Sequence, residues 1–75
     1  MNKLLLEALE AYYKGNIKKA EANLNIYLRN PMGIGEHPDI IEAMDSQVAI
    51  IADNVDKLAI ITSYQNSRKD MEFII

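Results

Sequence analysis

The chain has 75 residues, 49% of them hydrophobic, a formal net charge of −3 and no cysteine. A chain this short forms one domain at most and buries only roughly 60% of the surface its unfolded form exposes. No disulfide supplements that core, and a single histidine does not supply a structural zinc site. A multidomain enzyme and a disulfide-stapled toxin are thereby excluded, and the apolar fraction is too high for long disorder. What remains is an idealised helical core, an oligomer, or both.

The chain opens on a briefly apolar stretch, Met1 to Leu6, interrupted at once by Glu7 and Glu10. That is shorter than a signal peptide requires, and no apolar run approaches the ~18–20 residues of a membrane span. The expectation is a cytoplasmic protein without a membrane partner. The first predicted element is an amphipathic helix from about residue 2 to residue 29, with Asn2 as its N-cap. Leu6, Leu9, Tyr13, Ile17, Ala20, Leu24 and Tyr27 recur at spacings of three and four and form one face. Gly15 lies mid-helix at a cost of ~1 kcal/mol relative to alanine. The apolar phase persists across it, so one continuous helix is expected.

A break at Gly15 is the alternative. Ala11-Tyr12-Tyr13-Lys14-Gly15-Asn16-Ile17-Lys18-Lys19-Ala20 resembles the middle of a tetratricopeptide repeat, whose helices meet at a glycine-containing turn. Its tyrosine-to-glycine interval is one residue short, however, and the chain holds no second copy.

A loop follows over residues 30–37, where Pro31 stops the first helix and Gly33 and Gly35 allow positive φ. Its glycine pair precedes a helix start, but Glu36 and Asp39 stand where a phosphate would sit, and no P-loop lysine is present. His37 has no second nitrogen ligand at metal-binding spacing. The loop is read as specific turn geometry, with Glu36 and His37 as candidate partner contacts.

The second predicted helix runs from about residue 38 to residue 67, with Pro38 at its first position and Asp39 and Glu42 favouring the dipole. Ile41, Met44, Val48, Ile51, Val55, Leu58 and Thr62 form an unbroken heptad seam, widened by Ile40, Ala43, Ile50, Ala59 and Ile61. The paired carboxylates Glu42/Asp45 and Asp53/Asp56 lie opposite that seam and read as a solvated face. With the only histidine in the loop, no nucleophile set assembles, so a non-enzymatic protein without cofactor or metal is expected. An apolar tail, Met71 to Ile75 with Phe73 at its centre, is expected to dock on the bundle or on a partner.

Two long helices joined by a short loop pack antiparallel, giving an all-α helical hairpin. Residues 1–30 carry a net +2 and residues 31–75 a net −5, which suits segments lying side by side, and the fold-back brings Lys14 near Asp53. Leu4, Leu5, Ile26, Leu28, Ile50, Ile60 and Ile61 are surplus to a hairpin core. They point to a homodimer, or a higher even oligomer, in the form of a four-helix bundle. Lys14, Lys18 and Lys19 make the only basic cluster, too small for nucleic-acid binding. Tyr12, at the margin of the stripe, joins them as a candidate partner or ligand contact.

Residues Tyr27 to Ile40, with the string Asn30-Pro31-Met32-Gly33-Ile34-Gly35-Glu36-His37-Pro38-Asp39-Ile40, resemble a small family of tailed-bacteriophage proteins. That family is found chiefly in contractile-tailed phages, including those of marine cyanobacteria. The resemblance implies a phage origin and expression in the cytoplasm of an infected bacterial host. It carries no activity and no site residue. Three functions are compatible with the whole: an interaction protein that binds and modulates a host or phage protein, an anti-defence sponge holding a nucleotide immune signal between subunits, or a virion structural or assembly component.

Overall fold

A computed structural model of the chain describes residues 3–29 and 39–74, with the side chains of the second segment described as far as Asn66. Two helices account for these residues, α1 (Lys3–Arg29) and α2 (Ile40–Ile74). They pack along their length as a helical hairpin, an all-α fold drawn out into a rod of 60 × 16 × 16 Å.

Alanine, leucine, lysine and glutamate dominate α1, all strong helix formers, and Arg29 in the last turn meets the negative end of the dipole. The helix runs through Gly15 without a break, which removes the tetratricopeptide-like turn. A Cβ at Gly15 would meet nothing within 4 Å. Gly15→Ala is therefore expected to stabilise the hairpin by up to about 1 kcal/mol and to raise its melting temperature by about 4–8 °C. A lower melting temperature would mean that the glycine serves something other than this helix.

In α2, Asp39 stands outside the helix and its carbonyl accepts the Ala43 N–H at 3.1 Å, the position of an N-cap. The helix continues to Ile74, seven residues beyond the expected end, because no glycine or proline follows Pro38 in the sequence. The segment expected as a separate tail over residues 71–75 is thus helical backbone as far as Ile74. The loop residues, Pro38 and the Asn2 cap lie outside the described residues.

The helices meet along two heptad seams. On α1 these positions are Leu6, Glu10, Tyr13, Ile17, Ala20, Leu24 and Tyr27; on α2 they are Ile40, Met44, Gln47, Ile51, Asn54, Leu58, Ile61 and Gln65. Leu6, Ala20, Asn54 and Ile61 are buried and the rest half-buried. The seam differs from the expected one in phase. Leu9 yields its place to Glu10, and Ile41, Val48, Val55 and Thr62 lie exposed while Ile40, Gln47, Asn54 and Ile61 turn inward. Ile61, expected as surplus, is part of the core. Lys14 and Asp53 do not pair either. Each finds a closer partner one turn away on its own helix, Glu10 at 2.7 Å and Lys57 at 2.9 Å.

A two-helix rod cannot enclose its apolar side chains. The chain exposes 5978 Å², whereas a folded monomer of 8.5 kDa is expected to expose about 4,700 Å².

Candidate interaction surface

The α1–α2 contact contains polar layers. Asn16 donates from Nδ2 to Asn54 Oδ1 at 3.0 Å, and Asn54 in turn donates to the Ile50 carbonyl at 2.7 Å. Asn23 donates to Gln47 Oε1 at 3.3 Å, and Gln65 donates to Glu10 Oε1 at 3.2 Å. Asn54 is the buried polar side chain among the described residues, and both ends of its amide are bonded. Beside this seam, large apolar side chains remain exposed on the two flanks of the rod.

On the first flank lie Leu5, Leu9, Tyr12 and Ile26 of α1, together with Ile50, Ile60 and Tyr64 of α2. Columns three, four and seven residues apart place them there. The contacts agree: the Lys57 ammonium sits 5.9 Å from the Tyr13 ring centroid, and the Tyr12 and Tyr13 rings are 5.9 Å apart at 51°. Tyr12 and Tyr64 are both more than 60% exposed. Midway along this flank is a hollow of about 280 Å³ lined by Asn16, Lys19, Ala20, Asn23, Gln47 and Ile50.

The opposite flank is different. Ile41, Val48 and Val55 are exposed on α2, with Asp45 and Ala52 between them and Ala59 beyond. Thr62 continues the column but bonds its hydroxyl to its own Leu58 carbonyl at 2.8 Å. The neighbouring edge of α1 is apolar at its ends, where Leu4 and Leu28 are exposed, and charged between them, with Lys14 bonded to Glu10 and Lys18 3.8 Å from Glu21.

The structure therefore divides the residues grouped from the sequence. Tyr12 and Lys19 belong to the first flank, whereas Lys14 and Lys18 belong to the second. Glu36 and His37 lie outside the described residues, and Phe73 is described only as α2 backbone. Among the described residues, no group of three or more His, Asp or Glu side chains could hold a metal ion, and no helix is long and apolar enough to cross a membrane.

The bonding residues Asn16, Asn23, Gln47 and Asn54 were missed in the sequence, although a signal was present. Asn16 and Asn23 are seven apart, as are Gln47 and Asn54, which is the spacing of matched layers on facing helices.

Two charges are tuned by these contacts. Hydrogen bonds from Lys14 and Gln65 hold the Glu10 carboxyl below its ordinary value of 4.5, aided by the Lys14 charge. The Asp53 hydrogen bond and charge hold Lys57 above its ordinary value. A lowered carboxyl stabilises the folded state above the unfolded value and loses that contribution as pH falls through the folded value. The melting temperature is thus expected to fall from pH 5 to pH 3, less steeply in Glu10→Gln. Equal slopes in acid melts of the two proteins would remove Glu10 from the account.

Comparison of the chain with protein-family models, with curated proteins and with solved structures gives no match.

Proposed function

We propose that this chain is a non-enzymatic accessory protein of a bacteriophage that acts by protein–protein interaction. In this reading two hairpins associate as a four-helix bundle, and the bundle binds and modulates a host or phage protein in the cytoplasm of the infected bacterium. The observation that carries the reading is the apolar surface on both flanks of the rod. The chain's total surface, polar and apolar together, exceeds that of a compact monomer of this mass by about 1,300 Å², and the ~800 Å² each partner buries in a standard interface lies within that excess. One flank suffices to close a dimer, which leaves the other for a partner. The loop string that resembles a phage family supports the phage origin.

The Ile41–Val48–Val55 column suits the partner. It is an apolar strip interrupted beside Asp45, and Ala52 and Ala59 let a second helix approach closely from Val48 onward. Affinity capture from infected cells tests it. Val48→Glu with Val55→Glu is expected to lose the captured protein while keeping helicity and oligomeric mass. Undiminished capture would place the partner elsewhere.

The hollow at Lys19 favours a second reading, a sponge for a small anionic ligand such as a nucleotide immune signal. Its volume lies just below the usual ~300–1,000 Å³ of ligand pockets, and a second copy facing it would enlarge it. Lys19→Glu would then abolish ligand binding, whereas a capture defect confined to the Val48/Val55 variant favours the first reading.

A further inference from the structure

We infer that the first flank holds a second copy of this chain, in an orientation that sets both loops at the same end of the bundle. The inference rests on the dimer proposed above and adds its face and its symmetry. Three observations carry it: the charge of each helix, the distribution of apolar residues along the flank, and the level of two opposite charges.

Residues Lys3–Arg29 carry a net charge of +2 and residues Ile40–Ile74 a net −3. A two-fold axis along the rod places each α1 against the partner's α2, so that neighbouring helices around the bundle are antiparallel and oppositely charged. An axis across the rod, with loops at opposite ends, stacks like on like, α1 on α1 and α2 on α2. Juxtaposed like charges oppose that arrangement.

The flank is also uneven along its length. Leu5, Leu9, Tyr12, Ile60 and Tyr64 gather at the end away from the loop, the hollow with Lys19 and Ile50 lies at mid-length, and Ile26 lies toward the loop. Loops at one end bring apolar end onto apolar end and polar middle onto polar middle. Loops at opposite ends set the five-residue cluster against the sparser end.

Register supplies the third observation. Asn16 bonds Asn54 and Asn23 bonds Gln47, so residues whose numbers add to about 70 share a level. Lys19 and Asp53 are thus nearly level, and heptad spacing puts both on this flank. The same-end arrangement sets Lys19 beside the partner's Asp53. Asp53, 60% exposed on its side chain, is bonded meanwhile to Lys57 of its own helix.

The chain has no cysteine, so Lys3→Cys carries a single spin label. The same-end dimer is expected to give one label–label distance under about 25 Å, whereas opposite ends would separate the labels by nearly the length of α1, about 40 Å at 1.5 Å per residue. Lys19→Glu should weaken dimerisation about tenfold, and adding Asp53→Lys should restore it. A dimer with the long distance overturns this inference and leaves the dimer standing. A dimer that the double variant does not rescue overturns the Lys19–Asp53 contact. A protein that runs as a monomer at micromolar concentration overturns both readings and leaves the flank to a different protein.

Discussion

Replacing Asn16 and Asn54 together by leucine will raise the melting temperature of the protein and cost it its single helix pairing. Each leucine contributes about 1.5–3 kcal/mol when fully buried. The Asn16–Asn54 bond it displaces is worth about 0.5–1.5 kcal/mol. Even with Asn16 only half-buried, the net gain is about 2 kcal/mol by this reckoning. The loss is one of specificity. α2 carries a second seam, Ile41, Val48, Val55 and Thr62, which shares Met44, Ile51 and Leu58 with the one in use and differs from it by one position in every heptad. Matched amides select between them, as a single buried asparagine selects register in a coiled coil. The parent should give one set of amide signals and the double variant several. Asn54→Leu alone leaves the Asn16 amide without its partner and will gain less. A double variant that melts lower, with one sharp set of signals, would mean that the amides stabilise rather than specify.

The second large effect is expected at neighbouring isoleucines. Ile61 is 5% exposed and Ile60 58%. Ile61→Ala empties a site in a core with few buried side chains and is expected to cost about 2–4 kcal/mol, a sizeable part of the roughly 5–15 kcal/mol that natural domains possess. Ile60→Ala is expected to leave the hairpin intact and to weaken self-association. Chemical denaturation at two protein concentrations separates the two effects, because a dimer's apparent stability rises with concentration and a monomer's does not. Equal losses at both positions would mean that the helices are rotated from the pairing described above.

The class of fold is legible in the sequence. The three-and-four spacing in both segments, the proline and glycines between them and the unlike charges of the halves specify two antiparallel helices. Continuity through Gly15 follows from apolar phase alone. The seam on α2 is not legible from hydrophobicity, because that criterion selects the most apolar column and the hairpin does not use it. Asn54, Gln47 and Gln65 turn inward because Asn16, Asn23 and Glu10 on α1 can bond them, and a half-buried seam tolerates bonded amides. The apolar column left over becomes a candidate surface. Leu9 and Glu10 repeat the same exchange on α1. Lys14, Lys18 and Lys19 look like one cluster in the sequence, yet successive helical residues are 100° apart, and the hairpin sends Lys19 to one flank and its neighbours to the other.

Native mass spectrometry of the purified protein tests the four-helix bundle without intermediaries. The expected result is twice the 8.5 kDa chain mass, persisting to micromolar concentration, with no added mass of a few hundred daltons. Extra mass of that size per dimer would move the assignment to the ligand reading. A bare monomer would contradict the four-helix bundle and with it the argument from surplus surface.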